Sequence, residues 1–363
     1  MLDAIPAHAA GNAAMPAPAQ VIHHRPQFSG RTGEYFGIWF VNLLLGILTL
    51  GIYSAWAKVR TERYFYSNTR LAGASFEYLA DPIAVLKGRL IAYAVVVALA
   101  LSSKFAIGLY FALFLAVMIL MPWVIVMSLR FRARNSAWRG LTFRFDREGG
   151  AAYGPFMGWP ILQAITASLL YPVMKQRQHD FVAGGHWFGR KRFDYAGDTG
   201  QYYVPYAIAA GCVIALFVAL TVAMTGAVVA TRSTGQPDAM PSAGILAIVA
   251  VFYLGFFAIA AFVRVRYGNL LWNSTRLGEH RFESTVRARD MIWIYATNLV
   301  AILCTLGLAV PWAMVRLARY RAEHFAVVSQ GSLDDFVADA DRQHGAAGAE
   351  LVDALDVGAD FGF

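Results

Sequence analysis

The sequence predicts a polytopic α-helical membrane protein with a parallel internal duplication, four full spans, three re-entrant or interfacial segments and small cytoplasmic β-hairpins. Three observations predict this fold class. The 363 residues are 58% hydrophobic and only 15% charged, whereas ordinary soluble domains carry roughly 25% charged residues. Several uncharged stretches exceed the about 20 residues that cross a bilayer as a helix. Finally, a long motif recurs along the chain at a fixed spacing.

The positive charge is unevenly distributed. The net charge is +8, yet the tail from Leu333 onward holds eight acidic residues and one base, Arg342, so this tail is −7 and the remainder +15. Basic residues beside membrane segments indicate topology and contact with lipids, including anionic ones. We therefore expect membrane lipids as partners and no nucleic acid. The two cysteines lie in apolar segments and the histidines are dispersed, so we expect no metal site and no cofactor.

Five apolar regions divide the chain. Two are long enough for two helices and a turn each, and we call them hairpin 1 (90–129) and hairpin 2 (201–263). Three are shorter, and we call them segment A (35–57), segment B (149–174) and segment C (291–315). The number of spans depends on whether these three segments cross the bilayer.

Seven spans would place neighbouring basic loops on opposite sides, against the positive-inside rule. If segments A, B and C instead return to the side they left, only Lys104 and Arg232 of the 31 Lys and Arg residues face outward. Each segment contains a helix-interrupting element, namely Thr49-Leu50-Gly51, Gly158-Trp159-Pro160 or Thr305-Leu306-Gly307. We favour four spans with both termini cytoplasmic, and seven spans is the alternative.

Segment A recurs in segment C with a shift of 256 residues and no gap, which indicates a duplication. A second motif with alternating aromatic residues occurs four times and predicts short β-hairpins. Its copies contain Phe76-Glu77-Tyr78, Phe143-Arg144-Phe145, Phe193-Asp194-Tyr195 and Phe282-Glu283. The predicted organisation is a disordered Ala/Pro-rich leader (1–33), repeat 1 (34–148), repeat 2 (149–290), a third half-repeat (291–332) and a disordered acidic tail (333–363).

The run from Asn42 to Arg60, followed by Arg63-Tyr64 and by Thr69, Gly73 and Phe76, resembles the bacterial YjgN-like inner-membrane family, one of the families of unknown function. The resemblance covers roughly 28–328. It implies a multi-pass protein of a Gram-negative inner membrane. It implies no activity and no catalytic residue, and the leader and the tail fall outside the pattern.

Two sets of residues are candidate sites. Asn42, Thr49, Asn298 and Thr305 are polar residues at equivalent positions of segments A and C. They are expected either to line a path for a small solute or to form hydrogen bonds that hold the segments together. We favour the structural role.

The second set combines tryptophan with basic residues at the ends of segments A and C. It comprises Trp56, Lys58, Arg60, Arg63, Trp312, Arg316 and Arg319. One interpretation is contact with an anionic lipid head group or another anion, since the i, i+3 arginines share a helical face. The other is an aromatic belt with positive-inside anchoring, which we favour.

The sequence favours a transport-related role, as a small permease or an accessory to one, with facilitated passage. The alternative is a non-catalytic scaffold or a lipid-responsive protein that binds partners or anionic lipids through its basic cytoplasmic face. No nucleophile motif, phosphate-binding loop or paired carboxylates within a span occurs in the sequence, so we do not expect an enzyme. The solute, any protein partner and the oligomeric state are open.

Overall fold

The computed structural model describes residues 21–233 and 243–330, together with Leu333 and Val337. The predicted disorder of residues 1–20, and of the tail apart from Leu333 and Val337, therefore lies outside the described residues. The part of the leader from Val21 onward is different, because it forms two strands and the first turn of a helix.

Helices make up most of the described chain. In chain order they are α1 (Thr32–Leu48), α2 (Ser54–Ser67), α3 (Pro82–Phe105), α4 (Ile107–Arg134), α5 (Trp159–Ile165), α6 (Tyr171–Ala183), α7 (Thr199–Ser233), α8 (Ala243–Asn273), α9 (Ala288–Cys304) and α10 (Val310–Glu323). Within the described ranges, four helices are long and apolar enough to cross a membrane, namely α3, α4, α7 and α8. They coincide with hairpins 1 and 2 of the sequence prediction.

Segments A and C, extended to the ends of their helices, each form a helix, a tight turn and a second helix: α1 and α2 in segment A, α9 and α10 in segment C. From here on, segments A and C denote these helix pairs. In segment A the chain reverses at Leu50 and Gly51, which have φ of 50° and 90°. The Thr49 hydroxyl donates to the Leu45 carbonyl (2.7 Å) and accepts from the Tyr53 amide (2.9 Å). It thereby satisfies groups at the end of one helix and the start of the next.

Segment C repeats this turn with the same hydrogen bonds. Leu306 and Gly307 have φ of 50° and 97°. The Thr305 hydroxyl donates to the Ala301 carbonyl (2.7 Å) and accepts from the Ala309 amide (2.9 Å). The two interruptions predicted at Thr49–Gly51 and Thr305–Gly307 are therefore where the helices end.

The predicted interruption of segment B at Gly158-Trp159-Pro160 is wrong in position. A π-helix (Gly154–Gly158) leads directly into α5 there. Pro160 lies in the first turn of α5 and does not end the helix. The reversal comes later, where Ala167 and Ser168 have positive φ of 49° and 72°.

The strands form a single sheet of 11 strands, which is larger than the small β layer of four hairpins that the repeated motif predicts. They are β1 (Val21–His24), β2 (Gln27–Phe28), β3 (Thr69–Leu71), β4 (Ala74–Tyr78), β5 (Ser136–Trp138), β6 (Leu141–Phe145), β7 (His186–Phe188), β8 (Lys191–Tyr195), β9 (Thr275–Leu277), β10 (His280–Ser284) and β11 (Phe325–Gln330). The four predicted hairpins are present as β3–β4, β5–β6, β7–β8 and β9–β10. They pair edge to edge in an 11-stranded sheet. This pairing uses the backbone N–H and C=O groups that each isolated hairpin would leave exposed at its two edges.

The two ends of this sheet come together. The order is β1-β11-β10-β9-β8-β7-β6-β5-β4-β3-β2, so β1 and β2 lie at opposite edges. Only residues 25 and 26 separate them, and the chain from His24 to Gln27 reaches at most about 11 Å. A flat sheet of this size would be about 48 Å wide. The sheet therefore curls until the segment from Val21 to Phe28 links both edges.

Aromatic and aliphatic side chains fill the inside of the curled sheet. The cluster includes Trp138, Phe188, Phe193 and Phe282, each less than 10% exposed. Leu333, which follows β11, is buried in the same cluster, with Val337 packed against it. Leu333, from the tail that was predicted to be disordered, is thus part of this core, and Val337 packs against it.

The helices close in the same manner as the sheet. Neighbouring helices contact each other along the chain, and α1 contacts α10. The buried Tyr35 hydroxyl of α1 donates to the Met314 sulfur of α10 at 3.2 Å. Segments A and C are therefore adjacent, although they are distant in sequence.

Candidate functional site

The predicted polar residues form hydrogen bonds within segments A and C. Asn42 and Asn298 are only 8% and 7% exposed. Their Nδ2 atoms donate to the carbonyls of Ala57 (3.4 Å) and Ala313 (3.5 Å), on the helix that returns from each turn. Thr49 and Thr305 hold the turns, as described above. These contacts favour the structural interpretation, in which polar residues join the two helices of a segment.

The two asparagines differ in their second contact. In segment C, Arg316 Nη1 donates to Thr297 Oγ1 (2.7 Å) and to Asn298 Oδ1 (3.1 Å). The same guanidinium lies 5.1 Å from the centre of the Trp312 ring. In segment A, Asn42 Oδ1 is buried and has no hydrogen-bond partner among the described residues. Arg60, at the position matching Arg316, is exposed.

A cleft that contains several of the predicted residues is formed by segment C. It has a volume of about 730 Å³ and lies between α9 and α10, with Thr32 of α1 at its edge. Its charged residues are Arg289, Asp290, Arg316, Arg319 and Glu323, and its other lining residues are Trp293, Ile294, Trp312, Val315 and Tyr320. We call it the segment C cleft. Three of the predicted residues, Trp312, Arg316 and Arg319, are thus brought together.

A smaller cleft of about 400 Å³ lies at the matching place in segment A. We call it the segment A cleft. It is lined by Ile38, Arg60, Arg63, Tyr64, Ser67, Ser75, Phe76, Glu77, Tyr78 and Leu79. The first five match Ile294, Arg316, Arg319, Tyr320 and Glu323 of the segment C cleft, each with the 256-residue shift. Trp56 and Lys58, also predicted, line neither cleft.

One arginine of each cleft donates to backbone carbonyls at or just beyond the end of a strand. Arg63 donates to the carbonyls of Tyr78 (3.4 Å) and Ala80 (3.1 Å). Arg319 donates to the Gly30 carbonyl at 3.4 Å. A guanidinium has five N–H donors, so each arginine keeps donors that can face a ligand. The clefts therefore present positioned positive charge.

Along α10 the cleft changes from apolar to charged. The turn at the far end carries Leu306, which is 95% exposed. Trp312, Arg316, Arg319 and Glu323 follow in this order along the helix toward the sheet, at about 1.5 Å per residue. Trp293 on α9, 66% exposed, adds a second indole beside them. Exposed tryptophan between apolar and charged surface is typical of a membrane–water interface.

Eight lining residues of the segment C cleft were not predicted as site residues, and four of them are charged or tryptophan: Arg289, Asp290, Trp293 and Glu323. The 256-residue shift contained a usable signal for one of them. Asp290 matches Glu34, and each accepts from the matching tyrosine: Tyr320 Oη to Asp290 (3.2 Å) and Tyr64 Oη to Glu34 (3.4 Å). Glu323 has no such signal, because serine occupies the matching position.

A separate buried polar cluster joins α6 to α7. His179 Nδ1 lies 2.7 Å from the hydroxyl of Tyr202, which is fully buried and also contacts Tyr195. Burial, together with the nearby charge of Lys175, lowers the pKa of His179 to about 4. His179 is therefore neutral at pH 7 and acts as a packing and hydrogen-bonding group between α6 and α7.

The chain is similar to a known protein family and to curated bacterial proteins, in agreement with the resemblance seen in the sequence. Residues 23–354 match the family described as "Bacterial protein of unknown function (DUF898)". "Inner membrane protein YjgN" of Salmonella typhimurium is 25% identical over 364 residues, with 86% of this chain and 90% of the relative covered. The protein of the same name from Escherichia coli O157:H7 is 24% identical over 375 residues, with 87% and 92% covered. No solved structure matches the chain. The resemblance to YjgN-like proteins is confirmed.

Proposed function

Because the chain belongs to the DUF898 family of bacterial proteins, whose curated relatives are named inner membrane proteins, we propose that it is a multi-pass protein of the inner membrane. Its role there is to bind phosphate-bearing lipid head groups in the segment C cleft. It acts as a lipid-responsive scaffold and not as a carrier.

One observation carries this proposal. In the segment C cleft, arginines stand directly between exposed tryptophans and the sheet, on a helix whose other end is an exposed apolar turn. A bilayer presents its layers in the same order, from acyl chains through the interface to charged phosphates. Arginine is the residue best suited to bind a phosphate through two parallel hydrogen bonds.

The topology that goes with this function has all basic loops and both termini on the cytoplasmic side. Strand β1 near the N-terminus pairs with β11 near the C-terminus. The polypeptide enters and leaves each long hairpin from a strand of the one sheet. Segments A, B and C start from the same sheet and enter the bilayer only partway. Their exposed apolar turns, with Leu50 and Leu306 each 95% exposed, support this placement.

The internal duplication is also part of the proposal. The matched turns, asparagine contacts and clefts of segments A and C support a common origin for the two segments. The curled sheet and closed ring of helices place them side by side, as expected for parallel repeats around an axis along the membrane normal.

The transport-related role loses its basis. It relied on Asn42, Thr49, Asn298 and Thr305 as a polar lining, and these residues instead form hydrogen bonds within segments A and C. The printed names of the relatives state a location and no transported solute. The predicted absence of enzymatic activity and the oligomeric state stay open.

Lipid titration of the purified, delipidated protein tests the function. Binding of short-chain phosphatidylglycerol and phosphatidylethanolamine is measured by native mass spectrometry. A basic residue near a membrane surface contributes about 1 kcal/mol, so Arg319→Gln and Arg289→Gln should each weaken binding about 5-fold. Arg289 is suited to this test because its side chain is 87% exposed.

The matched control is Arg281→Gln, which removes an exposed arginine from β10 outside both clefts. It should leave the affinity unchanged. Equal affinity of the two cleft variants, the control and the wild type would refute the proposed function.

A further inference from the structure

We propose that the clefts of segments A and C select zwitterionic head groups that carry a phosphate and a primary ammonium, as in phosphatidylethanolamine. This inference rests on the proposed function and names the class of lipid. Its basis is the presence, in each cleft, of a carboxylate that lies beside the arginines and makes no ion pair with any residue that the structure describes.

In the segment C cleft the carboxylate is that of Glu323. The other acid, Asp290, is engaged, since it accepts from Tyr320 (3.2 Å) and lies 3.5 Å from Arg289 Nε. Glu323 is exposed and makes no ion pair or side-chain hydrogen bond within the described part of the chain. A purely anionic head group bound to Arg316 and Arg319 would place its negative charge near this carboxylate. A head group with an ammonium would neutralise it instead.

The segment A cleft reaches the same composition through a different residue. Arg60 and Arg63 match the arginines of segment C, but Ser67 stands where segment C has Glu323. The carboxylate comes from Glu77 of β4, which is exposed and likewise without an ion pair in the described residues. Two clefts with different surroundings thus combine the same matched pair of arginines with one acid that makes no ion pair among the described residues.

The order of charges along α10 fits the orientation of a bilayer lipid. Glu323 follows Arg319 by four residues, which is about 6 Å along the helix and on the side away from the apolar turn. A phosphate at Arg316 and Arg319 would therefore direct the ammonium of its head group toward Glu323. The acyl chains would extend the other way, past Trp312 toward Leu306.

The chemistry also distinguishes among head groups. A primary ammonium can donate three hydrogen bonds to a carboxylate, and such charge-assisted bonds are about twice as strong as neutral ones. A quaternary ammonium has no N–H to donate, and a glycerol head group has no positive charge. The predicted order of affinity is therefore phosphatidylethanolamine, then phosphatidylcholine, then phosphatidylglycerol.

The test measures binding of these three lipids, with identical short acyl chains, to the full-length protein. The variants are Glu323→Gln, Glu77→Gln and both together, and the control is Glu279→Gln, an exposed acid in the β9–β10 turn outside both clefts. Exposed ion pairs are modest in strength. Each cleft variant should therefore lower the ratio of phosphatidylethanolamine to phosphatidylglycerol affinity by about 2- to 5-fold, through its own site.

The outcomes separate the two proposals. Arg319→Gln should weaken all three lipids together, because each contains the phosphate. If Arg319→Gln acts in this way but the double glutamine variant keeps the wild-type ratio, head-group selection is refuted and phosphate binding stands. If Arg319→Gln has no effect on any lipid, the proposed function fails as well.

Discussion

Replacement of Asn298 or Asn42 by leucine should have clearly different effects on stability. Asn298→Leu removes the donor to the Ala313 carbonyl and the acceptor of Arg316 Nη1. Hydrogen bonds between membrane helices average about 0.6 kcal/mol, and bonds to charged groups reach about 1.5–3 kcal/mol. We expect a loss of about 2 kcal/mol in the free energy of unfolding.

Asn42→Leu should be nearly neutral, although it is the same substitution at the matching position. It removes the contact with the Ala57 carbonyl, at a cost of about 0.6 kcal/mol. It also removes the buried Oδ1 that lacks a partner among the described residues, and such an atom costs about 1–3 kcal/mol. The removed penalty is at least as large as the lost contact, so the variant should be as stable as the wild type or slightly more stable.

Unfolding in mixed detergent micelles, titrated with sodium dodecyl sulfate, measures the difference between these two variants. The matched pair is its own control, since volume and polarity change equally at both sites. Equal destabilisation by the two substitutions would show that the Arg316 contact has no energetic weight. A stable Asn42→Leu protein that loses a cellular function would instead favour the interpretation in which Asn42 lines a path for a small solute.

Four further predictions concern the fold, its pH dependence and its topology. Leu50→Asn should destabilise the protein in micelles by about 2 kcal/mol, because the turn lies in the apolar layer. In water the same change should stabilise the turn, since asparagine tolerates the positive φ of residue 50 better than leucine does. A stabilised variant would therefore contradict insertion of the turn into the bilayer. Phe188→Ala, in the core of the curled sheet, should cost about 3–5 kcal/mol in urea or detergent unfolding, and a loss below about 1 kcal/mol would show that this core is loose. Because the folded pKa of His179 lies below its ordinary value, stability should fall as pH drops from about 6.5 to about 4, by at most about 3 kcal/mol; an unchanged pH profile in His179→Gln would rule out this assignment. In a background without native cysteines, a membrane-impermeant thiol reagent should label Lys104→Cys but not Glu279→Cys in intact cells, and the reverse pattern would invert the topology.

The sequence contained enough information for the spans and the four hairpins, because both depend on local patterns. Uncharged stretches of sufficient length identify α3, α4, α7 and α8 directly. Alternating aromatics such as Phe143 and Phe145 identify strands that bury one face. The closure of the sheet was not predictable in this way. It depends on the pairing of Val21–His24 with a strand about 300 residues later, and four residues carry no signal for so distant a partner.

The misplaced break in segment B has a similar explanation. The expected turn residues, leucine and glycine, are replaced there by Ala167 and Ser168, so the motif is hidden although Thr166 is retained. Pro160 is a conspicuous helix breaker in sequence, but its effect depends on its position in the helix. Only the backbone geometry distinguishes these cases.

The candidate site was predictable in part. Trp312, Arg316 and Arg319 share one face of α10, so the repeated motif identified them. Arg289 and Trp293 come from α9, and their place in the cleft depends on how two antiparallel helices pack. Packing of this kind is set by side chains along both helices and by the turn between them, which the motif alone does not describe.

The central claim is that the segment C cleft holds a phospholipid head group at the cytoplasmic surface of the membrane. The most direct measurement is a cryo-electron microscopy structure of the full chain in nanodiscs made of phosphatidylethanolamine and phosphatidylglycerol. The account predicts a lipid with its phosphate within hydrogen-bond distance of Arg316 or Arg319 and its acyl chains beside Trp312. A cleft that lies clear of the bilayer and contains only solvent would contradict it.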